Sequence, residues 1–214
     1  MLCRAAGTQN SVVALFVRLP FLTFSKSTMK MGLSLWIGVI KENPQLESRI
    51  LIEIMENWIT TIHHKVGLFS ERLRYAALSP VRTLTDPPQS HLDPFFIKEE
   101  FAPSDDAATH KQQQRAHDMI TPHFRLLQFL SSHYTATRLS STSIEKAYHR
   151  MIRATCRAFR RTSAHPLARE VHFTFVLLGL QVLRFNTSLS GVAQWRLKDD
   201  LLSAALAWFT HAPR

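Results

Sequence analysis

Between Asn43 and Leu73 apolar residues return at steps of mostly three and four: Leu46, Ile50, Leu51, Ile54, Met55, Trp58, Ile59, Ile62, Val66, Phe69 and Leu73. That spacing puts one wide apolar face on an α-helix. Asn43 and Pro44 mark its expected start, as an N-cap and a first-turn proline. A face this broad and rich in Ile and Trp predicts burial against further helices. The remaining sequence predicts those helices. Phe124, Leu126, Leu127, Phe129, Leu130 and Tyr134 form the apolar side of one, with a fresh start at Thr121-Pro122 after a polar, solvated stretch His110–Met119. Thr142-Ser143-Ile144-Glu145 has the form of a capping box and opens a helix to about Arg161. Its inward face is Ile144, Tyr148, Met151, Ile152, Thr155 and Phe159. A helix over 167–185, entered at Ser163 and Pro166, is apolar almost all round and is expected to be the most buried, with Gly179 at a close crossing. Ser190 caps a last helix through Trp195, Leu197, Leu201, Leu202, Ala205, Leu206 and Phe209.

Two stretches break the pattern. Residues 79–108 hold Pro80, Pro87, Pro88, Pro94 and Pro103, which remove backbone donors and predict a long loop. Residues 1–32 are expected to be a poorly packed leader, with helix starting in earnest near Leu33. Within the leader, 11–24 is mostly apolar, but Arg18 and Pro20 make it too short and broken for a membrane span. The organisation read from the chain is thus a leader 1–32, a helical segment 33–78, a Pro-rich loop 79–108 and a helical segment 109–214. The fold class is all-α: an antiparallel helix bundle, or stacked helix pairs of an α-solenoid. No repeat of fixed period is visible.

Composition sharpens this. The 214 residues are 45% hydrophobic and 20% charged, with only 6 Gly, which suits packed helices better than sheets. A net charge of +10 points to an anionic partner, or to a basic piece of a larger protein whose other parts balance it. Cys3 and Cys156 supply no disulfide framework and fit a reducing, cytoplasmic setting. The sharpest surface signal is a basic strip. Arg150, Arg153, Arg157 and Arg160 follow steps of three, four and three, with Lys146 one turn earlier. It reads either as a solvated helix face or as a contact for anionic phospholipid, each basic residue being worth about 1 kcal/mol at a charged membrane. Nucleic acid is the weakest reading, because no stacking aromatics interleave with the arginines.

Chemistry-bearing constellations are thin. His63 and His64 are adjacent and diverge on a helix, with no third ligand at helical spacing. Asp199 and Asp200 diverge likewise, beside Lys198, so acid–base work is not indicated. Ser163 lacks a nucleophile-elbow context and reads as a cap. No catalytic, cofactor-binding or metal-ligating residue is assigned.

Four blocks in order, SRILIEIMENWITTIHHKVGLFSERLR, ITPHFRLLQFLSSHYTATR, SAHPLAREVHFTFVLLGLQVL and QWRLKDDLLSAALAWFTHAPR, resemble the large type III alpha phosphatidylinositol 4-kinases, the fungal members above all. The matching part is the helical region ahead of the catalytic domain, and the resemblance runs from about Leu33 to Arg214 with residues 1–32 departing from it. It implies a parent enzyme that makes phosphatidylinositol 4-phosphate with ATP and magnesium. It also implies a peripheral position at the plasma membrane, with a lipidated membrane anchor and a helical-repeat adaptor as partners. The phosphate-covering loop, ATP-anchoring Lys, catalytic loop and Asp-Phe-Gly of such kinases have no match here, and positioning phosphate and metal is nearly all of that chemistry. The expectation is a non-catalytic scaffold segment. The competing expectation is a stand-alone basic helical adaptor for anionic membrane or, more remotely, nucleic acid.

Overall fold

In the computed structural model, residues 2–71, 73, 105–137, 142–159, 166–185 and 190–210 are described, with side chains for 11–71, 73, 110–134, 142–159, 167–185 and 190–207. Among them are seven α-helices and no strand: α1 (Leu2–Thr23), α2 (Lys26–Glu42), α3 (Glu47–His63), α4 (Asp105–Thr137), α5 (Thr142–Phe159), α6 (Pro166–Phe185) and α7 (Gly191–Thr210). Lateral packing runs α1–α3–α5–α7 in one layer and α2–α4–α6 in the other, with α1 on α2, α5 on α6 and α6 on α7 across the layers. Odd helices in one layer and even helices in the other make an all-α stack of helix pairs.

The stretch expected to be a loose leader is helical from Leu2 and packed from residue 11 onward. Val17 and Met29 are fully buried and Phe24 nearly so. Pro20 sits in the last turn of α1, where few later N–H groups depend on that turn, and it lies against α2. A Cβ at Gly32 of α2 would come within 2.5 Å of the Pro20 ring, so the two helices meet because Gly32 has no side chain. The turn between them is a reciprocal cap: Ser25 accepts from the Thr28 N–H at 3.3 Å, and Thr28 Oγ1 accepts from the Ser25 N–H at 3.1 Å. The apolar run of 11–24 was read as broken by Arg18 and Pro20. Here Arg18 lies on the exposed side and Pro20 at a helix end, so neither interrupts the inward face.

Several boundaries differ from expectation. Asn43 closes α2, its N–H donating to Val39 O at 2.8 Å, and its side chain caps nothing; Pro44–Leu46 is a single 3-10 turn and α3 starts at Glu47. The sequence offers a break at Gly67, and the helix ends just ahead of it: α3 stops at His63, because Lys65 takes a left-handed φ of 53° and the Val66 N–H folds back to Thr61 O at 3.0 Å. Thr121-Pro122 starts nothing: α4 runs through it as one helix, and the Thr121 hydroxyl donates back to His117 O at 2.7 Å. α4 begins at Asp105, inside the expected loop, and residues 79–104 of that loop lie outside the described residues, as do Ser163 and Arg160. Ser190 does cap α7, accepting from the Ala193 N–H at 3.4 Å.

The core follows the helical spacing closely in the middle of the stack. Ile50, Leu51, Ile54, Met55 and Trp58 of α3 are fully buried, and all six inward residues expected of α5 are buried. At the C-terminal end it departs. α6 is not buried all round: Phe173, Leu177 and Leu180 are about half exposed. On α7 Leu197, Leu201 and Ala204 face in, while Trp195 is 69% exposed and Leu202 and Leu206 also face out. Gly179 is the close crossing expected of it, since a Cβ there would lie 2.3 Å from Leu201 of α7.

Candidate functional site

α5 lies between α3 and α7 in its layer, and that placement decides what its basic strip can do. Arg150 reaches across to Glu56 of α3 and forms an ion pair. Arg153 reaches the other way, its Nε donating to Asp200 Oδ2 of α7 at 2.9 Å. The second pair is the more sheltered, with side chains 27% and 12% exposed. Lys146 and Arg157 are exposed, and Arg160 falls outside the described residues. The strip is therefore divided, two cations tying neighbouring helices together and two facing water. Exposed pairs of the Arg150 kind contribute at most about 1 kcal/mol, so their effect is on helix register more than on stability. His149 beside them is held below its ordinary pKa, first by burial and then by Arg153, with Asp200 pulling the other way. The carboxylate partners were invisible in the strip's own spacing, because Glu56 and Asp200 belong to other helices.

Behind this face lies a hub the sequence reading did not single out. Trp58 of α3 stacks with Phe175 of α6 at 6.5 Å and meets Phe69 and His123 edge-on at 6.3 and 4.9 Å. Its indole N–H donates to Thr155 Oγ1 of α5 at 2.8 Å. Phe24, from the turn between α1 and α2, reaches the same His123 ring at 4.5 Å. His123 is fully buried and fully used. Its Nδ1 accepts the Leu68 N–H at 3.2 Å, and its Nε2 lies 2.9 Å from Thr61 Oγ1. Thr61 gives its own proton to Trp58 O at 2.7 Å, so Nε2 must carry the proton that joins His123 to Thr61. Burial holds the ring neutral, its pKa lowered to about 3. The lone signal in the sequence was a histidine inside the apolar run of α4. Such a ring, with both nitrogens satisfied and no access to solvent, is a structural group with no proton to trade.

The other candidates disperse. His63 and His64 are both exposed, and Asp199 is exposed while Asp200 is occupied by Arg153. Among the described residues no group of three or more His, Cys, Asp or Glu side chains is placed to hold a metal. No described helix is long and apolar enough to cross a membrane. An open groove between α1 and α3, bordered by Arg18, Asn57, Thr60 and Leu22, carries no cluster of catalytic groups.

Comparison with known proteins gives the family. Residues 8–214 match the family described as the PI4-kinase N-terminal region. The match takes in most of the stretch expected to depart from it. Phosphatidylinositol 4-kinase STT4 of Saccharomyces cerevisiae is 23% identical over 203 residues, 95% of this chain and 10% of its own length. Phosphatidylinositol 4-kinase alpha 1 of Arabidopsis thaliana is 28% identical over 190 residues, 86% of this chain and 8% of its own. Phosphatidylinositol 4-kinase stt4 of Schizosaccharomyces pombe is 24% identical over 210 residues, 96% and 10%. The chain thus spans about a tenth of these relatives. No solved structure matches.

Proposed function

The chain belongs to the PI4-kinase N-terminal region family, and from that premise we propose that it is a non-catalytic helical scaffold segment of a phosphatidylinositol 4-kinase. The family match over residues 8–214 carries the reading. The two-layer stack supports it, because each helix pair buries its neighbour's face and lends itself to extension in a longer array. The parent enzyme would transfer the terminal phosphate of ATP, with magnesium, to the 4-hydroxyl of phosphatidylinositol at the plasma membrane. The remainder of that kinase, a lipidated membrane anchor and a helical-repeat adaptor would be its partners. The segment's own part is packing surface and assembly.

The test has two arms. Purified chain, incubated with ATP, magnesium and phosphatidylinositol vesicles, is expected to yield no phosphatidylinositol 4-phosphate. Turnover that disappears on mutating a residue of this chain would overturn the non-catalytic reading. Sequencing the transcript past codon 214 is expected to run on in frame into lipid-kinase motifs; a stop codon there would favour the stand-alone adaptor instead.

A further inference from the structure

We propose that the seam between α5 and α7 is a pH-operated joint, built from His149, Arg153 and Asp200, which lets α7 lift off α5 as the solution turns acid. The inference goes beyond the scaffold reading and does not depend on it. Both helices belong to the same layer and pack side by side. Arg153 donates to Asp200 Oδ2 at 2.9 Å, and this pair is the most sheltered of the described ion pairs. His149 stands one turn before Arg153 on the same face of α5. Its ring is half-buried, and its Nε2 is closed off from solvent with no hydrogen-bond partner among the described residues. A charged ring carries a donor on both nitrogens. The donor at Nε2 would then be buried with nothing to receive it, a penalty larger for a charged group than for a neutral one.

Charge across the seam works in the same direction. Burial is the first cause holding the ring below its ordinary pKa, and Arg153 is the second. Asp200 and the backbone of Ala193, both on α7, favour the charged form without reversing the shift. Imidazolium and guanidinium thus compete for one carboxylate that Arg153 already holds. The other charged groups lie elsewhere. Glu145, a turn before His149, is buried and is not among the charges that shift the ring. Lys146 and Arg150 are exposed, and Arg150 is drawn to Glu56 of α3. On α7, Arg196, Lys198 and Asp199 are exposed. α6 packs on both helices, but its Arg169, Glu170, His172 and Arg184 do not shift the ring either. When α7 lifts, His149 meets water and its ordinary value near 6.5 returns. The closed seam therefore excludes a proton that the open form accepts. It is intact at neutral pH and weakens as pH falls through about 6.5.

Hydrogen exchange of the full 214-residue chain at pH 7.5 and 5.5, with each rate divided by the intrinsic chemical rate, tests this. Opening of α7 is expected to rise between the two, by at most about tenfold for one proton taken up near pH 6.5. His149→Phe should remove the rise, and His149→Gln keeps the test decisive if the phenylalanine variant fails to fold. His123→Gln should leave the rise in place, because α7 opens while the hub around His123 stays closed. The titration midpoint of His149, read from its ring resonances by NMR, should move up in Arg153→Met and down in Asp200→Asn, shifts that a packing role alone would not produce. A flat α7 response in the parent, or a parent midpoint at or above about 6.5, would overturn the proposal. So would a rise that survives in both His149 variants, or one that is lost in His123→Gln, since α7 would then open only with the whole stack.

Discussion

His123 shows how a single ring can hold elements from three parts of the chain. As a neutral imidazole it offers one acceptor to the Leu68 N–H and one donor to Thr61, and Phe24, Trp58 and Phe69 close around its faces. A second proton would put a donor on Nδ1 facing the Leu68 N–H, in a fully buried site. The sign of the pH dependence follows. The folded ring titrates at about 3 while an unfolded histidine titrates near 6.5. Below about pH 6.5 the unfolded chain therefore binds the extra proton and gains. Stability supplied by this ring is intact at neutral pH and is lost progressively as pH falls from about 6.5 toward 3, by an amount on the order of 5 kcal/mol at the acid limit. Thermal melts of the parent between neutral pH and about pH 4 should show that slope, about 1.4 kcal/mol for each pH unit once the unfolded histidine is protonated. His123→Gln, whose amide can accept from Leu68 and donate to Thr61 without titrating, should flatten it. An unchanged slope in the variant would remove His123 from the account.

At the scale of elements, the interiors of helices were legible in the sequence and several of their ends were not. The inward residues of α5 fall where a 3.6-residue period puts them, because a face shared with two neighbours leaves no other solution. Pro122 misled, since α4 runs through it despite the hydrogen bond a proline forfeits. Asn43 misled for the opposite reason: its local chemistry suits an N-cap, but a 3-10 turn intervenes and α3 begins without a side-chain cap. Gly67 offers a break in the sequence, but the contact that holds it there is one that no local pattern reveals. Gly67 has φ +59°, and a Cβ there would stand 2.6 Å from the His123 ring and 2.7 Å from the Phe24 ring. Gly38 sits inside α2 with open space where its Cβ would be. The same change should therefore have opposite signs. Gly67→Ala is expected to destabilise by more than the roughly 1–2 kcal/mol of a left-handed alanine, because the ring contacts add to it. Gly38→Ala is expected to stabilise by about 0.5–1 kcal/mol, removing glycine's entropy from a helix interior. Denaturant midpoints of the two variants check this, and a stabilised Gly67→Ala would show that the turn does not press on the hub.

For the whole molecule, the arrangement of layers matters more than any single contact. The hydrophobic pattern gave the α class and the middle of the core, while the ends misread: Phe173, Leu177, Trp195 and Leu202 carry helical apolar spacing yet face out. Spacing says that a face is apolar, and only the neighbours say whether it is covered. The same logic governs stability. In a stack, each pair draws its stability from the pairs on either side, so the middle should be the firmest part and the ends should open more readily. Trp58 lies in the middle, joined to α4, α5 and α6 through His123, Thr155 and Phe175. Leu201 lies at the end, on α7, buried against Gly179 of α6. Both changes to alanine remove a buried side chain, at roughly 3–5 kcal/mol for tryptophan and 2–5 for leucine. A total stability of about 5–15 kcal/mol leaves room for either variant to remain folded. Their footprints in native-state hydrogen exchange should nevertheless differ. Leu201→Ala should speed exchange in α6 and α7 and leave α3 close to the parent. Trp58→Ala should speed it in α3, α4, α5 and α6 together. Uniform acceleration by both variants would mean that the seven described helices open as one cooperative unit, and that the helix pairs are a feature of shape without being units of stability.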